Sequence, residues 1–509
     1  MDLTNIVGTM PYHDFLNNYK SKLKTAFYER ADLTQFIQQR GFPSLVWREI
    51  MSAKPLSVSI PKKYGGRGIN VKECLGVFEA SGYESLALSL TFGINFALFM
   101  EPVAKYGSES LKPKVFERFL NQANMGGLMI TEPSYGSDAL NMQTFNVKEG
   151  SNYKIKGIKH WQGLTGLADY WLMTSRSKSE SGKLSRDIDF FVTDEQVDAQ
   201  RIIVDEYYNN AGLYPIPYGK NIVDVTVPEE NKLIPESTGL KLMMDLLHRS
   251  RFQFPGMGMG FIKRNLDECL KHCTTRIVGT HPLIAMDQVQ HMIGRVQSAF
   301  VISSAFCKRS SEISSIDNNL ALMAIEANTM KAYVTDLMQE SAQITTQLYG
   351  AKGYLEESFG QRGITDSRPF RIFEGSNEML YTQISEMTVK TMIRGKQTNL
   401  AEYLKTYELS EKVADRYKDM LNFDLENKMP QRKLVDLGQI ISRVLSAQMV
   451  VSLGESGFRP DLIEDTLTTL KHDITMLLSS YKYDTAVSPT IEYQAESWWM
   501  DYCSIFLQV

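Results

Sequence analysis

Leu128-Met-Ile-Thr-Glu-Pro-Ser-Tyr-Gly-Ser-Asp138 marks the point where the chain changes character. An apolar run, Leu128–Ile130, ends in hydroxyls, a proline and Gly136, which reads as a strand entering a turn. Upstream, from His13 to about Gln122, apolar residues recur at helical spacing, as in Phe15, Leu16, Tyr19, Leu23 and Phe27. Pro61-Lys-Lys-Tyr-Gly-Gly-Arg-Gly68 interrupts them with a turn-rich loop. Downstream, as far as Pro228, short β-type runs follow one another: Tyr153–Ile158, Tyr170–Thr174, Phe190–Val192 and Ile222–Val227. Strands without intervening helices predict a small antiparallel sandwich or barrel. From about Gly239 the helical period returns. One stripe is Leu434, Leu437, Ile440, Ile441, Val444 and Leu445; another is Leu467, Leu470, Ile474, Leu477, Leu478 and Tyr481. The class is therefore α+β and multidomain, in the order helical, β, helical.

Composition narrows the function. The 509 residues are 43% hydrophobic and 22% charged, an ordinary globular mix, so disorder and collagen-like structure are excluded. Fifty-five basic against 59 acidic residues give a net charge of −4, with no basic excess to mark a nucleic-acid binder. Five cysteines are sparse and odd in number, which suits a reducing compartment. Met1–Tyr12 has neither a basic n-region with an apolar core nor an arginine-rich character, so no signal or transit peptide is expected. Ser85–Met100 is the most apolar stretch, is too short to span a bilayer, and reads as a buried helix. A cytoplasmic protein without an integral membrane segment is expected.

Most familiar motifs are missing. Gly256-Met-Gly-Met-Gly260 lacks a preceding strand and the dinucleotide spacing, and reads as small residues for close helix packing. Cys269 and Cys273 stand one helical turn apart with no second ligand pair, so no metal site is expected. The seven histidines show no His-Glu-x-x-His pattern, and there is no G-x-S-x-G elbow. Two loops remain. Thr131–Asp138 offers free amides and hydroxyls for anionic or carbonyl oxygens, although a capped turn would look the same. In Phe373-Glu-Gly-Ser-Asn-Glu378 an aromatic neighbour can desolvate Glu374 and raise its pKa toward that of a working base. A helix-capping glutamate is the bland alternative.

Taken together, the order and spacing of these loops resemble the acyl-CoA dehydrogenase family of flavoenzymes. The matching parts are Pro61-x-x-Tyr-Gly-Gly-x-Gly68, Met129-Ile-Thr-Glu-Pro-x-x-Gly-Ser-Asp138, Gly157-x-Lys-x-Trp161, Val227-Pro-x-x-Asn231, Arg251, and Gln347 to Asn377. The resemblance implies a helical domain over 1–126, a β domain over 127–237, a C-terminal four-helix bundle with the catalytic loop over 238–395, and a helical extension over 396–509. It also implies FAD-dependent α,β-dehydrogenation of an acyl thioester, with Glu374 as the base and the β-hydrogen leaving as hydride to flavin N5. Ser250 occupies the position where some members carry the base instead, and it cannot serve.

The remaining roles are likewise implied by the resemblance. Arg251 supports the active site, and Ser137, Ser250 and Gly375 border the substrate. Ile130, Thr131, Ser137, Trp161 and Gly163 would contact the flavin and pyrophosphate. Arg276 would reach the FAD of a neighbouring subunit, Gln288 is a further cofactor contact, and Gln347, Gly350 and Ala351 lie toward the adenosine end. Ser376 and Glu378 follow the catalytic loop. Implied partners are an acyl-CoA or acyl-carrier-protein substrate and an electron-transfer flavoprotein, in a homodimer or homotetramer.

Several residues depart from the family pattern. Trp161-Gln-Gly163 lacks the hydroxyl that usually approaches flavin N5. Arg276-Ile-Val-Gly-Thr-His-Pro282 lacks a phenylalanine, Gln288 falls one residue late, and Tyr381 stands where an arginine is usual. The chain also continues to Val509, and its extra charges predict solvated packing against the core. These departures keep two rivals in view: a flavin oxidase or monooxygenase on the same fold, and a non-catalytic scaffold.

Overall fold

The computed structural model describes residues 7–32, 35, 39–483 and 489. Side-chain caps divide the N-terminal helices where the sequence supplies them. Asn70 accepts from the Lys72 amide at 3.0 Å to open Val71–Glu84, and Ser85 accepts from the Leu88 amide at 3.3 Å to open the next helix. That second helical run extends from Leu86 to Tyr106. It is longer than the sequence reading allowed, and long and apolar enough to cross a membrane. It is instead almost wholly buried in the protein core, as is much of Gln431–Glu455, the other described helix of that kind.

Every expected strand is present, and two more join them. The strands are β1 (Gly126–Met129), β2 (Phe145–Glu149), β3 (Asn152–His160), β4 (Tyr170–Ser177), β5 (Asp189–Asp194), β6 (Ile203–Tyr207) and β7 (Gly219–Pro228). They form one seven-stranded sheet in the order β1-β4-β2-β3-β7-β6, with β5 also on β4. The expectation of a purely antiparallel sheet is corrected, because β1 and β2 both pair with β4 in parallel. These pairings arise because β4 returns alongside β1 only after the β2–β3 hairpin, which turns at Gly150 (φ 62°).

Four long helices follow: Gly239–Thr275, Asp287–Ile313, Ala324–Tyr349 and Asn377–Arg394. Thr238 and Asp187 cap the first, Asp187 accepting from the Gly239 and Leu240 amides at 3.0 Å each, so the sheet domain is tied to the bundle. The glycines of Gly256–Gly260 act as spacers. A side chain at Gly260 would collide with the Glu79 carbonyl, so this helix packs backbone to backbone on Val71–Glu84. Cys269 and Cys273 are buried in the same helix, Cys269 against the Thr345 hydroxyl at 3.3 Å.

Beyond residue 395 come Leu400–Thr406, Ala414–Leu421, Gln431–Glu455 and Pro460–Lys482. The two expected apolar stripes face inward, with Leu437, Ile440, Val444, Leu467, Leu470 and Ile474 all buried. The extension is less solvated than its charges suggested. Arg443 is buried, and Asp473 accepts from Arg295 at 2.6 Å and from the Tyr333 hydroxyl at 3.3 Å.

Candidate active site

Glu374 lies between the short turn Arg368–Arg371 and the helix Asn377–Arg394, whose Met379 amide donates to the Ser376 hydroxyl. Its backbone is left-handed, φ 54°, and Gly375 follows at φ 93°. Left-handed geometry costs a non-glycine residue about 1–2 kcal/mol, so surrounding contacts must hold it. Two buried cations do so on consecutive carbonyls: Arg251 Nη2 donates to the Glu374 oxygen at 2.7 Å, and Lys331 Nζ to the Gly375 oxygen at 2.8 Å. Gly375 suits its left-handed backbone, and a Cβ there would press only on the mobile ends of Leu380 and Met379, 2.9 Å away.

The Glu374 side chain is treated differently at its two oxygens. Oε1 accepts from the Ser250 hydroxyl at 2.9 Å, whereas Oε2 is enclosed and has no hydrogen-bond partner among the described residues. Phe373 beside it belongs to an aromatic cluster with Phe370 and Phe254, centroids 5.0 and 6.1 Å away. Burial pushes the carboxyl above its ordinary range, while Arg251, Ser250 and Lys331 pull it back. No described residue accepts from the Glu374 amide.

Ser250 and Arg251 project from the middle of Gly239–Thr275, where Pro255 removes the hydrogen bond that would return to the Arg251 carbonyl. Arg251 Nη1 also donates to Asn328 Oδ1 at 2.7 Å. Asn328 and Lys331 are one turn apart on Ala324–Tyr349, and both are 0% exposed. Sequence reasoning did not name Asn328 or Lys331, and it quoted Asn377 only as part of the loop motif, without a role. The only local signal was a lysine flanked by Met330 and Ala332, in a run that also holds Glu326 and Asn328.

A second cluster forms where β1 ends. The Lys159 ammonium is fully buried and donates to Ile130 O at 2.9 Å, Glu132 Oε1 at 3.0 Å and Thr174 Oγ1 at 3.1 Å. Glu132 also accepts from the Gln143 and Thr144 amides, so this pair pins the Ile130–Thr131 turn to β3. Burial draws Lys159 down to about 8 despite Glu132. Trp161 follows at φ 62° with 54% of its surface exposed and its ring 4.5 Å from that of Tyr208. Gln162 bridges the Thr131 carbonyl and Asn221. Gly163 is packed closely: a Cβ there would lie 2.8 Å from Ile94 Cδ1 and 3.3 Å from Ile216 Cγ2.

The other predicted residues are dispersed. Ser137 sits on the exposed loop after Glu132. Arg276 comes within 3.6 Å of the Cβ position of Gly350, which has φ 60°. Ala351, Gln347 and Gln288 are exposed, and the side chains of the two glutamines make no hydrogen bond among the described residues. Glu378 is exposed in the first turn of Asn377–Arg394, where a carboxylate suits the helix dipole.

Three family models match in chain order: acyl-CoA dehydrogenase N-terminal domain over 25–123, middle domain over 127–223, and C-terminal domain over 237–388. The chain therefore belongs to the acyl-CoA dehydrogenase family, oxidoreductases acting on CH–CH groups. It is 22% identical over 346 residues to an acyl-CoA dehydrogenase of Bacillus subtilis, covering 68% of this chain and 89% of that one. It is also 22% identical over 397 residues to the human very long-chain specific mitochondrial enzyme, covering 73% of this chain and 58% of that one. An acyl-CoA dehydrogenase from Bacillus anthracis, solved in complex with FAD, has the same fold with a TM-score of 0.72 at 17% identity. That likeness covers 93% of this chain and 87% of the other.

Proposed function

We propose that this chain is an FAD-dependent dehydrogenase that converts an acyl-CoA to the trans-2-enoyl thioester, with Glu374 as the base. The residues present suit the cofactor. Trp161 holds a bulky side chain in left-handed backbone with its indole largely uncovered, and the Thr131 and Ser137 hydroxyls bond to no described residue. In this reading Trp161 packs on the isoalloxazine ring, Ile130 and Thr131 serve the pyrimidine edge, and Ser137 serves the pyrophosphate. Arg276 and Gly350 belong to the adenosine end. When bound, FAD supplies the acceptor for the substrate's β-hydrogen, taken as hydride at N5.

The observation that carries the reading is the enclosed, unpartnered Glu374 Oε2, whose sister oxygen is fixed by Ser250. Oε2 takes the proton from the α-carbon. A carboxylate desolvated by burial is a stronger base than one in water. Arg251 holds the Glu374 carbonyl and so secures the turn, and the Glu374 N–H, which bonds to no described residue, is free to stabilise charge developing on the thioester oxygen. An electron-transfer flavoprotein is the acceptor in this reading.

The test is an absorbance spectrum of the purified protein followed by anaerobic titration with acyl-CoAs of graded length. Flavin bands that bleach with one chain-length class support the reading. Flavin that stays oxidised with every acyl-CoA contradicts it. Rapid reoxidation of the reduced protein by oxygen alone would favour the oxidase.

A further inference from the structure

The helix Gln431–Glu455 lies beyond the three matched domains, yet it reaches the support of the catalytic loop. It packs so closely on Asn377–Arg394 that a side chain at Gly438 would collide with the Tyr381 carbonyl. The Ser385 hydroxyl fastens the same contact by donating to the Leu434 carbonyl at 2.6 Å. From this helix Arg443, only 8% exposed, lays its guanidinium 3.9 Å from the Tyr333 ring centroid and donates to the Tyr381 hydroxyl at 3.2 Å.

The contacts then run on without a gap. Tyr381 donates to Asp336 Oδ2 at 2.7 Å. Asp336 Oδ1 accepts from Asn377 Nδ2 at 2.8 Å and pairs with Arg371 Nε at 2.7 Å. Asn377 Oδ1 accepts from Lys331 Nζ at 3.0 Å, and that ammonium holds the Gly375 carbonyl. A hydroxyl that accepts from a guanidinium has its own hydrogen turned toward the carboxylate, so each bond orients the next.

We propose that Arg443 is a positioning residue: through Tyr381, Asp336, Asn377 and Lys331, the C-terminal extension holds the catalytic loop in its left-handed working geometry. This deepens the reading of Glu374 as the base and rests on it. A purely structural Arg443 would affect melting temperature and leave the loop unchanged.

The experiment uses the full-length holoprotein and the variants Arg443→Met, Arg443→Lys, Tyr381→Phe and the Met/Phe double. Hydrogen–deuterium exchange over residues 372–380 is read beside the flavin reduction rate at saturating acyl-CoA and the acyl-CoA Kd. Arg443→Met and Tyr381→Phe should each speed loop exchange and slow saturated reduction by about tenfold, with Kd nearly unchanged. Arg443→Lys should recover most of both, and the double variant should lose little more than either single one. Wild-type exchange and rate in the single variants would overturn the proposal, and so would losses that multiply in the double. If Arg443→Met does not fold, Tyr381→Phe decides alone. Should the wild type prove inert to every acyl-CoA, the dehydrogenase reading fails, while loop exchange still decides what Arg443 positions.

Discussion

Arg251 meets Glu374 at its backbone carbonyl, 2.7 Å away, rather than at its carboxylate. The difference matters chemically. A guanidinium forked onto the carboxylate would occupy both oxygens and hold them as a spent ion pair. Placed on the carbonyl, the same charge secures a strained turn, and Oε2 stays free to take a proton.

The pH dependence of this arrangement has a definite sign. Burial raises the Glu374 pKa, and Lys331 is among the groups that lower it again. The base works only when ionised, so flavin reduction should fall as pH drops through that raised pKa. Lys331→Met removes a lowering influence, so the acid limb should move to higher pH. Reduction rates measured from acid to alkaline pH check this, and an unmoved limb contradicts it.

Lys331 should also leave its mark on stability. Burial draws its ammonium down to about 7, whereas in the unfolded chain it keeps its proton to its ordinary range. Above pH 7 the unfolded state then binds the extra proton, so wild-type stability gains a rising contribution with pH that Lys331→Met lacks. Urea midpoints of both proteins across that interval test the sign.

Lys159→Met should be among the most damaging single changes in the sheet. It leaves the buried Glu132 carboxylate without its cation and releases the Ile130 carbonyl. Breaking one half of a buried pair costs about 3–5 kcal/mol. Denaturant titration reads that loss, and weaker retention of FAD should accompany it because the Thr131 turn loses its anchor.

Gly163→Thr, which restores the hydroxyl of the family pattern, should not improve the protein. Ile94 and Ile216 already fill the space that a side chain would need. Overpacking of this kind costs about 1–3 kcal/mol. A lowered melting temperature is expected, and an unchanged one would show that the loop can shift to admit the side chain.

Alternating runs such as Tyr153–Ile158 and Ile222–Val227 were legible because one of their faces is buried. Ile203–Tyr207 went unread because it is an edge strand with almost every residue exposed, so no alternation appears in its side chains. The parallel pairing of β1 with β4 joins residues more than forty positions apart, and no local pattern carries it. At the site, Glu374, Ser250 and Arg251 came through the family resemblance. Lys331 did not, because a polar residue in a helix reads as a solvated face until the packing is known. The extension shows the same limit: its apolar stripes were plain, whereas the inward turn of Arg443 depends on Tyr333 and Tyr381, contributed by two other helices.

The central claim is that Glu374 takes the proton. The most direct measurement is anaerobic mixing of wild type and Glu374→Gln with the acyl-CoA that bleaches wild-type flavin best. Glutamine keeps the shape and can still meet Ser250, so bound FAD and acyl-CoA affinity should persist. Flavin reduction should slow by about 10²–10⁴-fold, the usual worth of a positioned general base. Near-normal bleaching in the Gln variant would contradict the account and move the base elsewhere.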